Sequence, residues 1–113
     1  MAATIVRWRA RGEAGALARV VYSENALANL QRAFDFLLDQ DPNAAREAAA
    51  AISGAIELLR VHPLIGRPLE GPLRELVISF GKTGYVALYR FIPERDQIRV
   101  LAIRHQRELD YLV

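Results

Sequence analysis

RELVISFGKTGYVALYRF, residues 74–91, decides the fold. Two apolar runs flank GKTG at 81–84, which reads as a tight turn between strands at 74–80 and 84–92. A third run, 97–104, follows the short link PERDQ. Links this short make successive strands antiparallel neighbours, so the C-terminal half is a three-stranded meander. Upstream, VHPLIGRPLEGP at 61–72 carries three prolines and two glycines and is expected to be a loop.

Before the loop the apolar period changes from two to near 3.6. Leu27, Leu30, Phe34 and Leu37 mark one face of a helix predicted over Glu24–Asp39, with Ser23 as its cap. Asp41 and Pro42 restart a helix predicted over Pro42–Arg60. Its stripe is Ala45, Ala49, Ile52, Ile56 and Leu59. Ala48, Ala51, Gly54 and Ala55 are small, and Gly54 is expected to mark close packing of the helices as an antiparallel hairpin. LARVVYS, 17–23, reads as a short strand. The predicted class is α+β, in the order β-α-α-β-β-β, with a helical hairpin packed on a small, mainly antiparallel sheet. Residues 1–18 show no period and read as an extension, either a loose arm or the product of an upstream start codon; residues 19–113 form the domain.

Strict alternation sorts the strand side chains. Val86, Leu88, Arg90 and Ile92 share one face, and Tyr85, Ala87, Tyr89 and Phe91 the other. In the last strand Ile98, Val100, Ala102 and Arg104 oppose Arg99, Leu101, Ile103 and His105. Both faces carry apolar residues, so the face away from the helices is expected to be covered by a partner or by the C-terminal tail.

Composition narrows the chemistry. The 113 residues include no cysteine, which excludes disulfides and thiolate chemistry. Two histidines with no carboxylates at ligand spacing offer no metal site, and no cofactor motif is present. No apolar run reaches the roughly 20 residues of a membrane span, and a cytoplasmic protein is expected. The net charge of +2 is segregated. Residues 1–23 carry four arginines and one acid, residues 24–57 two arginines and six acids, and residues 58–113 nine bases and six acids. Fourteen of the fifteen bases are arginine, suited to bidentate contact with carboxylate or phosphate. Arg74, Arg90 and Arg104 fall near strand ends, where Arg90 and Arg104 either form structural ion pairs with Glu75, Glu94 or Glu108 or join Arg74 in an anion-facing surface. Phe36 and Leu38 lie off the main stripe of the first helix, to meet either a partner or the N-terminal arm.

The order and spacing of YSENALANL, HPLIGRPL, LRELVI, GYVALYRF and IRVLAIRHQRE resemble the RelE/ParE superfamily of toxins from bacterial type II toxin–antitoxin systems, over residues 19–111. The resemblance implies a cytosolic toxin neutralised by a cognate antitoxin whose C-terminal segment wraps the helices and sheet. RelE-like members cut messenger RNA on the ribosome; ParE-like members poison DNA gyrase and are associated with plasmid stabilisation. Nuclease members place an arginine directly after the Gly-Tyr of the middle strand, where this chain has Val86, and VISFG offers only Ser79 in place of their usual strand cation. The resemblance therefore leans to the ParE branch, with growth inhibition through gyrase and no catalytic residue assigned. Partner contacts are expected from Arg74, Lys82, Arg90, Arg104, Arg107, Phe36 and Leu38. The alternatives are a ribosome-dependent endoribonuclease using His105, Arg104, Tyr111 and Arg90, and a non-toxic relative that only binds an antitoxin.

Overall fold

Ser23 starts the first helix as predicted and also ties it to the far end of the chain. Its hydroxyl accepts from Ala26 N–H at 3.0 Å and donates to the Leu101 carbonyl at 3.0 Å. The computed structural model describes residues 17–80 and 83–106. Strand β1 (Arg19–Tyr22) leads into helices α1 (Glu24–Gln40) and α2 (Pro42–Val61). Strands β2 (Arg67–Pro68), β3 (Leu73–Phe80), β4 (Thr83–Ile92) and β5 (Gln97–His105) follow, with a 3₁₀ turn at Pro93–Arg95. They form a five-stranded sheet in the order β1-β5-β4-β3-β2. The β1–β5 pair is parallel and the others are antiparallel. Lys82, Arg107 and Tyr111 lie outside the described residues.

Asp41 serves both helices. Its N–H closes α1 on the Leu37 carbonyl at 2.7 Å, and its carboxylate caps α2 by accepting from Asn43 N–H at 3.0 Å. Helix α2 buries Ala45, Ala48, Ile52, Ile56 and Leu59, and the core beneath the helices includes Tyr89, Ile98 and Val100.

Four expectations require correction. The loop at 61–72 contains β2, which pairs Arg67 with Glu75 and Pro68 with Arg74; proline lacks an N–H but is tolerated at a sheet edge. Gly54 is exposed, and a methyl group there would meet nothing within 4 Å, so close packing does not explain it. The stripe of α1 is only partly buried: Leu30 and Leu37 pack in part against the core, the fully buried residues are Ala26 and Asn29, and Leu27 is 53% exposed. Finally, alternation in β5 fails at a register shift. Leu88 pairs with Ala102 and Tyr89 with Val100, leaving Leu101 as a bulge. Arg99 thus shares a face with Ala102 and Arg104, while Ile98 and Val100 share the helix-side face with Ile103 and His105. The opposite face is not simply open, since Glu75, Val86, Leu88, Gln97 and Ala102 are all buried on it.

The bulge carbonyl is used. Leu101 accepts from Ser23 and from Asn25 Nδ2, the latter at 3.1 Å, while Ser23 N–H donates to Val100 at 2.9 Å. These contacts dock the N-terminal turn of α1 on the edge of β5. Ser23→Ala loses both the cap and the tie, and its unfolding free energy in urea is expected to fall by about 1–2 kcal/mol.

Burial raises the pKa of Tyr22 and of Tyr89; Glu57 adds to the shift at Tyr22, whereas the Gly66 N–H and Arg74 oppose it at Tyr89. The folded chain therefore holds these phenolic protons more tightly than the unfolded chain. This contribution to stability is complete below the ordinary tyrosine value of 10.0 and is lost as pH rises past it. The Tm is expected to fall on the alkaline side, less steeply in Tyr89→Phe.

Candidate functional site

Helix α1 is bordered by two recesses. The first, about 500 Å³, lies between the helices. Small residues on α2, Ala45, Ala48, Ala49 and Ser53, stand opposite Leu27, Leu30, Phe34 and Leu37 on α1, and the gap between them is mostly apolar. The predicted stripe of α1 therefore lines a groove. The second recess, about 380 Å³, lies on the other flank of α1 and is lined by Asn29, Arg32, Ala33, Phe36, Tyr85, Ile103, Arg104 and His105. Ala33 and Tyr85 belong to both. Phe36, at the second recess, is 65% exposed, and Leu38 is also exposed.

The predicted arginines separate into different environments. Arg74 donates to the carbonyls of Leu64 at 3.0 Å and Gly66 at 2.8 Å, which makes it a tie for the loop. Arg104 stands opposite Val86, and its guanidinium lies 3.8 Å from the buried carboxylate of Glu75. Glu75 also accepts a short hydrogen bond from Arg67. The ion pair foreseen for Arg104 is thus present. Arg90 stands opposite Arg99, and its buried Nε meets no acceptor among the described residues. Arg99 donates to Gln97 at 3.1 Å.

His105 does not join these groups. It pairs with Tyr85 on the helix side, the two rings packing edge to face with centroids 5.4 Å apart. The side chains of Arg104 and His105 consequently project from opposite faces of β5. An acid or base must stand close to the cation that stabilises a phosphorane for the two to serve one transesterification. Arg104 and His105 both border the second recess but leave β5 on opposite faces, Arg90 lies further along the sheet opposite Arg99, and Tyr111 lies outside the described residues. Among the described residues no cluster of three or more His, Cys, Asp or Glu is placed to hold a metal, and no helix is long and apolar enough to cross a membrane.

Sequence reasoning passed over Asn29 and Arg32. Asn29 carried the clearest signal: it sits three residues after Ala26 and four before Ala33, on the stripe that faces the sheet. It is only 3% exposed. Its Oδ1 accepts from Ile103 N–H at 2.8 Å and from Asn25 Nδ2 at 3.4 Å.

Comparison with known proteins agrees with this architecture. The family described as ParE toxin of the type II toxin–antitoxin system, parDE, matches residues 20–110. Toxin RelE3 of Caulobacter vibrioides is 40% identical over 73 residues, covering 65% of this chain and 77% of its own. Toxin RelE1 of the same organism is 32% identical over 89 residues, covering 79% of this chain and 94% of its own. Among solved structures, a chain of the toxin–antitoxin complex RelBE2 of Mycobacterium tuberculosis aligns with a TM-score of 0.55 at 23% identity, covering 80% of this chain and 99% of that one. That last likeness concerns the fold.

Proposed function

The chain belongs to the ParE toxin family of type II toxin–antitoxin systems, and from that premise we propose that it arrests growth by a ParE-like protein contact, with DNA gyrase as target. It is the toxin component of such a system and has a cognate antitoxin as partner. We assign the groove between α1 and α2 to that antitoxin, because an amphipathic partner segment would cover the apolar lining that the fold leaves exposed.

The observation that carries the gyrase reading is that the side chains of Arg104 and His105 leave opposite faces of β5, although both residues border the second recess. Buried Val86 supplies no charge, and Arg104 is drawn towards Glu75. Such a surface suits contact with another protein better than phosphoryl chemistry. A second reading, ribosome-dependent cleavage of messenger RNA, has two supports: Arg104 puts a cation opposite Val86, and the Caulobacter relatives bear the name RelE.

Expression of the chain alone is expected to stop growth, induce the SOS response and leave gyrase-dependent DNA breaks, all reversed by co-expressed antitoxin. Unimpaired supercoiling by gyrase in the presence of purified, antitoxin-free protein would count decisively against the first reading. His105→Ala is expected to arrest growth as wild type does. Under the nuclease reading the same change would reduce messenger cleavage, followed by primer extension on translating ribosomes, by about a hundredfold or more.

A further inference from the structure

Asn29 is an amide fixed in one orientation with its donor end unused. Oδ1 takes two donors, the Ile103 N–H and the Asn25 amide. Reversing the amide would set its NH₂ against both of them. Nδ2 is therefore held in the other direction, buried and without an acceptor among the described residues. A buried donor left unpaired costs roughly 1–3 kcal/mol, which a ligand oxygen would recover. The residue lines the second recess, where Arg32 from the next turn of α1 is exposed and makes no ion pair or hydrogen bond among the described residues. Phe36 and Tyr85 supply apolar surface there, and the described lining contains no carboxylate.

We propose that the second recess is a carboxylate subsite that receives one acidic side chain of the antitoxin, bound by Asn29 Nδ2 and the Arg32 guanidinium, with the adjoining apolar part of the partner against Phe36. The assignment rests on the antitoxin reading above and adds the chemistry by which the partner is recognised. A single carboxylate is favoured over a nucleic acid strand because α1 also carries Glu24, Asp35 and Asp39, which repel a polyanion but not one acid within an apolar segment. The recess meets the interhelical groove at Ala33 and Tyr85, so one partner segment spans both.

The test is the affinity of the full chain for its cognate antitoxin, by titration calorimetry. Arg32→Ala is expected to weaken binding about tenfold and to flatten its dependence on salt. Asn29→Asp keeps an oxygen for Ile103 N–H but turns the donor into an acceptor; with the fold confirmed by circular dichroism, it is expected to weaken binding about a hundredfold. One acid-to-alanine change in the antitoxin should then cost little further in the Arg32→Ala background. Wild-type affinity in both toxin variants, or full additivity for every antitoxin acid, overturns the subsite and leaves the toxin assignment standing. An antitoxin that fails to bind the wild-type chain overturns the assignment beneath it. A single-stranded uridine oligonucleotide that competes with the antitoxin, and is lost in Arg32→Ala, overturns the carboxylate in favour of RNA.

Discussion

Replacing Gly66 with alanine lowers the unfolding free energy by about 3 kcal/mol, the upper part of the usual range for overpacking. The added methyl would stand 2.5 Å from Tyr89 Cε1 and 2.6 Å from its hydroxyl oxygen. Retreat is blocked because the Tyr89 ring is fully buried, and its hydroxyl is bonded on two sides. The hydroxyl accepts from Gly66 N–H at 2.9 Å and donates to the Pro63 carbonyl at 2.8 Å. Moving the ring breaks both bonds, and Arg74, which holds the Gly66 carbonyl, resists movement of the loop. The strain is steric, since Gly66 is not among the residues with positive φ. Urea denaturation provides the measurement. A loss below about 0.5 kcal/mol, the scale of an ordinary surface change, would mean that the loop yields freely.

Ala49→Trp has a comparably large effect on binding and almost none on folding. Ala49 is exposed on α2 and lines the interhelical groove. An indole at that position fits the helix but occupies space otherwise open to the antitoxin. Affinity is expected to fall about a hundredfold, as for loss of a central interface contact, with the urea midpoint nearly unchanged. In cells the antitoxin should then fail to reverse the growth arrest. Full rescue by the antitoxin would place its principal contact elsewhere.

Much of the fold was legible because local rules agreed. Ser23 and the Asp41–Pro42 pair punctuated the helices where caps were expected. Short links fixed the meander, and parity in β4 correctly separated Arg90 from Tyr89. The errors arose where tertiary contacts overrode local pattern. Nothing near Leu101 announces a bulge; its carbonyl is held from Ser23 and Asn25, 78 and 76 residues away. The apolar period of α1 showed which side was greasy but not that it borders a groove. The reading of the site suffered most. Arg74 was read as a binding cation with no sign that it also ties the loop, and Asn29 attracted no notice because a lone amide carries little signal until its partners are known.

The extra residue in β5 works as a reversing gear. Every side chain beyond it turns to the side opposite the one that simple counting gives, including the two that would matter most to a nuclease. Loss of the Leu101 codon would leave His105 and Arg104 on the faces they now hold, whereas a straightened ladder that kept Leu101 would send His105 towards the carboxylate of Glu75 and Arg104 towards the tyrosine floor. In a scaffold with this device the chemistry of each surface depends on one residue staying out of the ladder, while the sequence on either side stays the same.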